Sequence, residues 1–130
     1  MDRDKLLPLA LRVIGAIFIV AVLPMMMLWP SGWRWAPHNH EYEQMIMAIY
    51  AVLGVFLILA ARNPTEHLSL IRFTVWSSVA HAAVMTVHAI GNSDEHWHLA
   101  ADIPALVVVA GVLAATMPSS KQRRKEAAPA

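Results

Sequence analysis

The stretch "QMIMAIYAVLGVFLILAA", Gln44 to Ala61, runs for 18 residues without a charge. As a helix rising about 1.5 Å per residue it would nearly cross a bilayer core of about 30 Å. A helix buried in a water-soluble core would be shorter and interrupted by charge. This stretch therefore reads as a membrane span, and its neighbours are tested against that reading.

Three more blocks of the same kind flank it. "LLPLALRVIGAIFIVAVLPMMMLW" covers Leu6 to Trp29, "LSLIRFTVWSSVAHAAVMTVHAI" covers Leu68 to Ile90, and "LAADIPALVVVAGVLAATM" covers Leu99 to Met117. The chain is 58% hydrophobic and 15% charged, against about 25% charged in a soluble domain. The first block is too long for a signal peptide and lacks a small-residue cleavage site, so it is expected to be retained. Pro24 removes a backbone donor within it and predicts a kink. There is no cysteine, which excludes disulfides and thiolate metal sites. No phosphate loop, nucleophile elbow or zinc-protease motif occurs, so no enzymatic activity is expected.

The expected fold is all-α, a four-helix transmembrane bundle over residues 1–117, with helices at about 6–29, 44–61, 68–90 and 99–117. Residues 118–130, "PSSKQRRKEAAPA", form a basic tail too polar to bury and expected to be disordered. Arg3, Lys5 and Arg12, then Arg62 and Arg72, then Lys121, Arg123, Arg124 and Lys125 mark the ends that stay inside, and only Arg34 falls in the two other loops. Both termini are thus expected in the cytoplasm. Trp29, Trp33, Trp35 and Trp97 fall at the outer interface, as an aromatic belt would.

The third block carries a polar stripe. At about 100° per residue, Thr74, Ser77, Ser78 and His81 share one arc, and Val75, Trp76, Val79, Ala83, Val87 and Ile90 the opposite one. The polar arc is expected to face other helices, because an unpartnered polar group in hydrocarbon costs several kcal/mol. His81 there is either hydrogen-bonding glue between helices or a functional group.

His and acids gather in the outer loops, in "HNHEYE" (His38 to Glu43) and "SDEHWH" (Ser93 to His98). His40, Glu43, His88 and Asp102 are expected to converge there, with His96 and His98 above them. Imidazoles with carboxylates suit a divalent metal, and the nearby methionines would suit copper. The same residues would serve a proton-linked role, since His titrates near physiological pH. Asp102 also reads as a helix N-cap, with Pro104 in the first turn, and His88 is its expected imidazole partner.

The landmarks Glu41-Tyr42-Glu43-Gln44, Arg62, His67-Leu68-Ser69, Thr74-Val75-Trp76-Ser77-Ser78 and His81 carry a resemblance. Between roughly Trp29 and Val112 the chain resembles a family of small bacterial four-helix membrane proteins classed as a domain of unknown function. The resemblance implies this topology and a bacterial inner-membrane location, and no activity.

Three functional readings follow. The first is a non-catalytic bundle or accessory subunit, partnered by the lipid bilayer and by copies of itself or a larger membrane complex, with no nucleic acid. The second is a small transporter or a metal- or proton-binding protein. The third is a haem-binding redox protein. His81 and His88 lie about 10 Å apart along one helix, so they cannot hold one haem from opposite faces, and a second copy would have to supply a ligand.

Overall fold

A computed structural model of the chain describes residues 3–35 and 40–118. Most of these are helical, with no strand among them. Six α-helices follow in order: α1 (Arg3–Val20), α2 (Val22–Leu28), α3 (Pro30–Trp33), α4 (His40–Ala60), α5 (Leu68–Gly91) and α6 (Asp102–Thr116). Short 3₁₀ stretches, Pro64–His67 and Ser93–Ala100, precede α5 and α6. Three units are long and apolar enough to cross a membrane, Glu41–Ala60, Pro64–Gly91 and Ser93–Thr116, and a fourth if the bent pair α1–α2 is one span. The tail from residue 119 lies outside the described residues.

The first expected helix is broken, with a 51° bend between α1 and α2. Pro24 is its cause. Its ring opposes the carbonyl four residues back, that of Val20, where α1 ends. The hydrogen-bond ladder resumes with Met25 N–H donating to the Ala21 carbonyl at 3.1 Å. The second expected helix starts one turn early, at His40, with Glu41 and Glu43 in its first turn, where the helix dipole favours acids. The fourth differs most, because "SDEHWHLA" winds as a 3₁₀ helix and α6 begins only at Asp102.

Packing follows the chain as two hairpins. α4 lies against α1, α6 lies against α5, and α1 and α6 join the pairs, while α4 and α5 form no comparable interface. The α1–α4 contact is backbone to backbone. A Cβ added to Gly54 would sit 2.5 Å from the Gly15 carbonyl oxygen, and one added to Gly15 would sit 2.6 Å from that of Gly54. Membrane helices use such small residues to approach closely. One core draws on all four long helices, through Leu11, Phe18, Leu57, Ile71 and Leu113. A second, smaller core lies between α5 and α6, around Met85, Ala89, Ile103 and Leu106, with Trp35 and Tyr50 packed against it. The α4–α5 seam beside that second core is where the side chains leave space.

In α5 the polar arc turns inward. Thr74 and Ser78 are buried, Ser77 and His81 half-buried, and Trp76, Val79, Ala83, Val87 and Ile90 exposed. Val75 departs from the expected arc, being half-buried against the larger core. It lies one turn beyond the fully buried Ile71, so that end of α5 turns this side toward its neighbours. Thr74 donates to the Leu70 carbonyl at 3.0 Å and Ser77 to the Thr74 carbonyl at 3.2 Å. These hydroxyls are satisfied within their own helix rather than by another.

Candidate functional site

A cavity of about 460 Å³ opens at the α4–α5 seam. Ile17 and Phe18 from α1 and Val22 and Met26 from α2, on both sides of the bend, form its back wall. Tyr42, Ile46 and Tyr50 close one side, and His81, Val84 and His88 the other. Asp102, Ala105 and Leu106 of α6 form the floor, and Trp33, Arg34 and Trp35 form the remaining wall. The lining is mostly apolar and aromatic, with a few polar groups, as small-molecule sites commonly are.

Those polar groups are organised in pairs. Arg34 grips Glu43 through both arms, Nε to Oε1 at 3.1 Å and Nη2 to Oε2 at 2.9 Å. This planar two-point geometry makes a strong charge-assisted contact. The Tyr50 hydroxyl and His81 Nδ1 lie 2.9 Å apart, a hydrogen bond that spans the seam from α4 to α5. His81 therefore ties two helices together.

Asp102 anchors the third group. Its Oδ2 lies 2.8 Å from His98 Nδ1 and accepts a longer bond of 3.3 Å from Trp35 Nε1. His98 is fully buried, stacked under Trp35 with ring centroids 4.1 Å apart. Its other nitrogen, Nε2, lies 3.0 Å from Glu95 Oε2. That contact is close enough for charge attraction but off the line a hydrogen bond needs, so Nε2 has no aligned partner among the described residues. Residues three apart in a 3₁₀ helix eclipse each other, which sets Glu95 beside His98. Gly32 lets α3 reach this layer, because a Cβ there would fall 2.8 Å from Ala101 Cβ.

Three buried polar atoms have no hydrogen-bond partner among the described residues: Trp33 Nε1, His98 Nε2 and Asp102 Oδ1. Trp33 and Asp102 both line the cavity. A buried polar atom without a partner costs about 1–3 kcal/mol, so this layer of the fold carries a local cost.

The expected site residues are distributed as follows. Glu43, His88 and Asp102 line the same cavity. His40 opens α4, but its side chain lies outside the described ones. His96 is exposed, and His98 is buried beside Asp102 rather than above it. Among the described residues, no group of three or more His, Asp or Glu side chains is placed to hold a metal ion. The imidazole bonded to Asp102 is that of His98, not His88, which instead meets Trp35 edge-on at 6.5 Å. Asp102 is the first residue of α6 rather than its cap, and Ala101 in the cap position offers no side-chain bond. Its carboxylate is taken up by tertiary partners.

The sequence does not single out Tyr50, and it marks Trp35 only as interfacial, Arg34 only as the one base of the outer loops and Glu95 only within a loop rich in His and acid. Tyr50 sits inside an uncharged block and reads there as filler. The spacing of His98 and Asp102, four apart at a helix start, was the available signal for that pair.

The chain belongs to a family of unknown function, DUF6632, whose model matches residues 2–128. Neither a curated protein nor a solved structure matches it.

Proposed function

We propose that this member of the DUF6632 family is a non-catalytic, multi-pass protein of the bacterial inner membrane that binds a small molecule at the α4–α5 seam. In this reading the bent pair α1–α2 is one crossing, α4, α5 and α6 are the others, and both termini are cytoplasmic. The apolar helices support the membrane setting. The Lys and Arg distribution supports the orientation.

One observation carries the binding reading. The cavity of about 460 Å³ has largely apolar and aromatic walls with a few polar residues, Glu43, His81 and Asp102 among them, the make-up of a small-molecule site. Polar groups around it are tied to each other, Arg34 to Glu43 and Tyr50 to His81. That arrangement positions a ligand and leaves no evident nucleophile with its base, which favours binding over catalysis.

The test is direct. The protein in lipid nanodiscs is dialysed against small apolar probes, with empty nanodiscs as the baseline. Saturable binding that is lost in Ala105→Phe, which fills the floor, supports the reading. No saturable binding by the unsubstituted protein overturns it.

A proton-linked role is the second reading, favoured by the placement of His98 between two carboxylates. A metal at the same residues would require one of these side chains to leave its present partner.

A further inference from the structure

We infer that the ligand of this cavity is a neutral, lipid-soluble ring compound whose carbonyl or hydroxyl hydrogen-bonds to His88, and that it enters from the bilayer through the α4–α5 seam. This rests on the cavity being a binding site at all.

His88 gives the first argument. It lines the cavity and is exposed. Its ring meets Trp35 edge-on at 6.5 Å, and among the described residues it makes no hydrogen bond. Other polar lining groups are already engaged. Arg34 and Glu43 hold each other, Tyr50 holds His81, and Asp102 Oδ2 is shared by His98 and Trp35. The second Asp102 oxygen and Trp33 Nε1 each have under 1 Å² of accessible area, so neither reaches the space. A neutral imidazole carries one donor and one acceptor nitrogen. His88 can therefore meet either a carbonyl or a hydroxyl. An ion would leave water for a largely apolar space whose charged residues already have partners. Burying a charge in that way costs far more than burying a carbonyl.

The walls give the second argument. Phe18, Trp33, Trp35, Tyr42 and Tyr50 line the space from three sides. Ring pairs attract beyond the area they bury, and a flat ring has few rotamers to lose. A flexible chain would lose more freedom on being held there. At about 460 Å³ the space falls in the range that takes a small organic molecule.

Position gives the third. Along α4 the lining residues run from Tyr42 to Tyr50, and along α5 from His81 to His88. The Tyr50–His81 bond thus closes the cavity at one end. His88 stands about 10 Å from it along α5, toward the other end. Between the two, Ile46 and Val84 are 46% and 59% exposed, and α4 and α5 form no close interface. A ring compound dissolved in the bilayer would reach the cavity through this gap without breaking the Tyr50–His81 bond.

Three probes of similar bulk separate ring from polar group: acetylnaphthalene, isopropylnaphthalene and methyl decyl ketone. Each is dialysed against nanodiscs of zwitterionic lipid carrying the full chain and against empty nanodiscs, so that affinity is referred to probe dissolved in the same bilayer. The ring ketone is expected to bind saturably, about three- to tenfold tighter than the ring hydrocarbon, the worth of one hydrogen bond. The chain ketone is expected to bind more weakly than the ring ketone. His88→Phe keeps a ring and removes both nitrogens, and should bring the two ring probes level. His88→Gln supplies a donor and an acceptor again and should restore part of the preference, which a mere loss of shape would not allow. Equal binding of the two ring probes by the unsubstituted protein, or a preference that survives His88→Phe, overturns the role of His88 and leaves the cavity reading intact. A chain ketone as tight as the ring ketone overturns the ring assignment. Saturable binding of none of the three removes both this inference and the cavity reading.

Discussion

Replacing Gly54 with alanine should loosen the protein more than a single methyl group suggests. The new Cβ would sit 2.5 Å from the Gly15 carbonyl oxygen, 2.9 Å from Ile19 Cγ1 and 3.2 Å from Phe18 Cβ. The isoleucine can turn aside. The carbonyl cannot, because it belongs to the backbone of α1. Ordinary contact begins near 3.4 Å, so the two helices must part by roughly 0.9 Å at this level. A gap of that size forfeits about a quarter to a half of the dispersion energy of the atoms it separates. Overpacking of this kind costs about 1–3 kcal/mol, and the better helix propensity of alanine returns up to about 1 kcal/mol. The net loss lies between about 0 and 3 kcal/mol, and Gly54→Ala should fall about 1–3 kcal/mol below a glycine-to-alanine change that meets nothing. Gly111 is the internal control, since a Cβ there meets nothing within 4 Å, and Gly111→Ala should be neutral or stabilising by up to about 1 kcal/mol. The double substitution Gly15→Ala with Gly54→Ala should cost less than the sum of its parts, because the second methyl enters a gap the first has opened. Reversible unfolding in mixed micelles measures all four. Gly54→Ala as stable as Gly111→Ala would refute the close backbone contact.

A periplasm-active reporter fused after Asn92 should be active and one fused after Lys121 inactive; the reverse pattern would invert the proposed orientation. The chain has no cysteine, so single cysteines at Val79 and Ala83 should take a lipid-soluble maleimide readily and those at Thr74 and Ser78 poorly. Equal labelling would contradict the burial of the polar arc. Tyr50→Phe and His81→Phe should each cost about 0.6 kcal/mol, up to about 1.7, and a double-mutant cycle between them should show a coupling of similar size. Zero coupling would mean the bond does not hold the seam. His98→Ala should destabilise by about 3–5 kcal/mol because it strands a buried carboxylate, and adding Asp102→Ala should recover part of that loss; a purely additive pair would deny their contact.

Much of this architecture is legible in residue order. Apolar runs of span length announce α4, α5 and the stretch ending in α6. The inward set Thr74 and Ser78 follows from helical period alone, as does the bend from Pro24. What stays hidden depends on tertiary distance. Arg34 reads as the odd cation of an outer loop, yet its role is set by Glu43, nine residues away across a helix start. Tyr50 gains a role only because His81 lies opposite it. The His88–Asp102 pairing failed because equal depth does not fix facing. The 3₁₀ winding of residues 93–100 carries His98 to the carboxylate and leaves His88 against a tryptophan edge.

The order in which the hairpins occur in the chain bears on synthesis. α1 and α4 can join as soon as both have left the ribosome, through the Gly15–Gly54 contact. The floor of the cavity, with Asp102, Ala105 and Leu106, arrives on α6, translated after α1 to α5. Until α6 docks, the partly assembled protein displays Tyr50 and His81 with no floor beneath them. If the chain crosses a membrane as proposed, such an intermediate presents these polar groups to lipid. Ligand would have nowhere to settle before the final hairpin closes, so binding competence would report completed assembly.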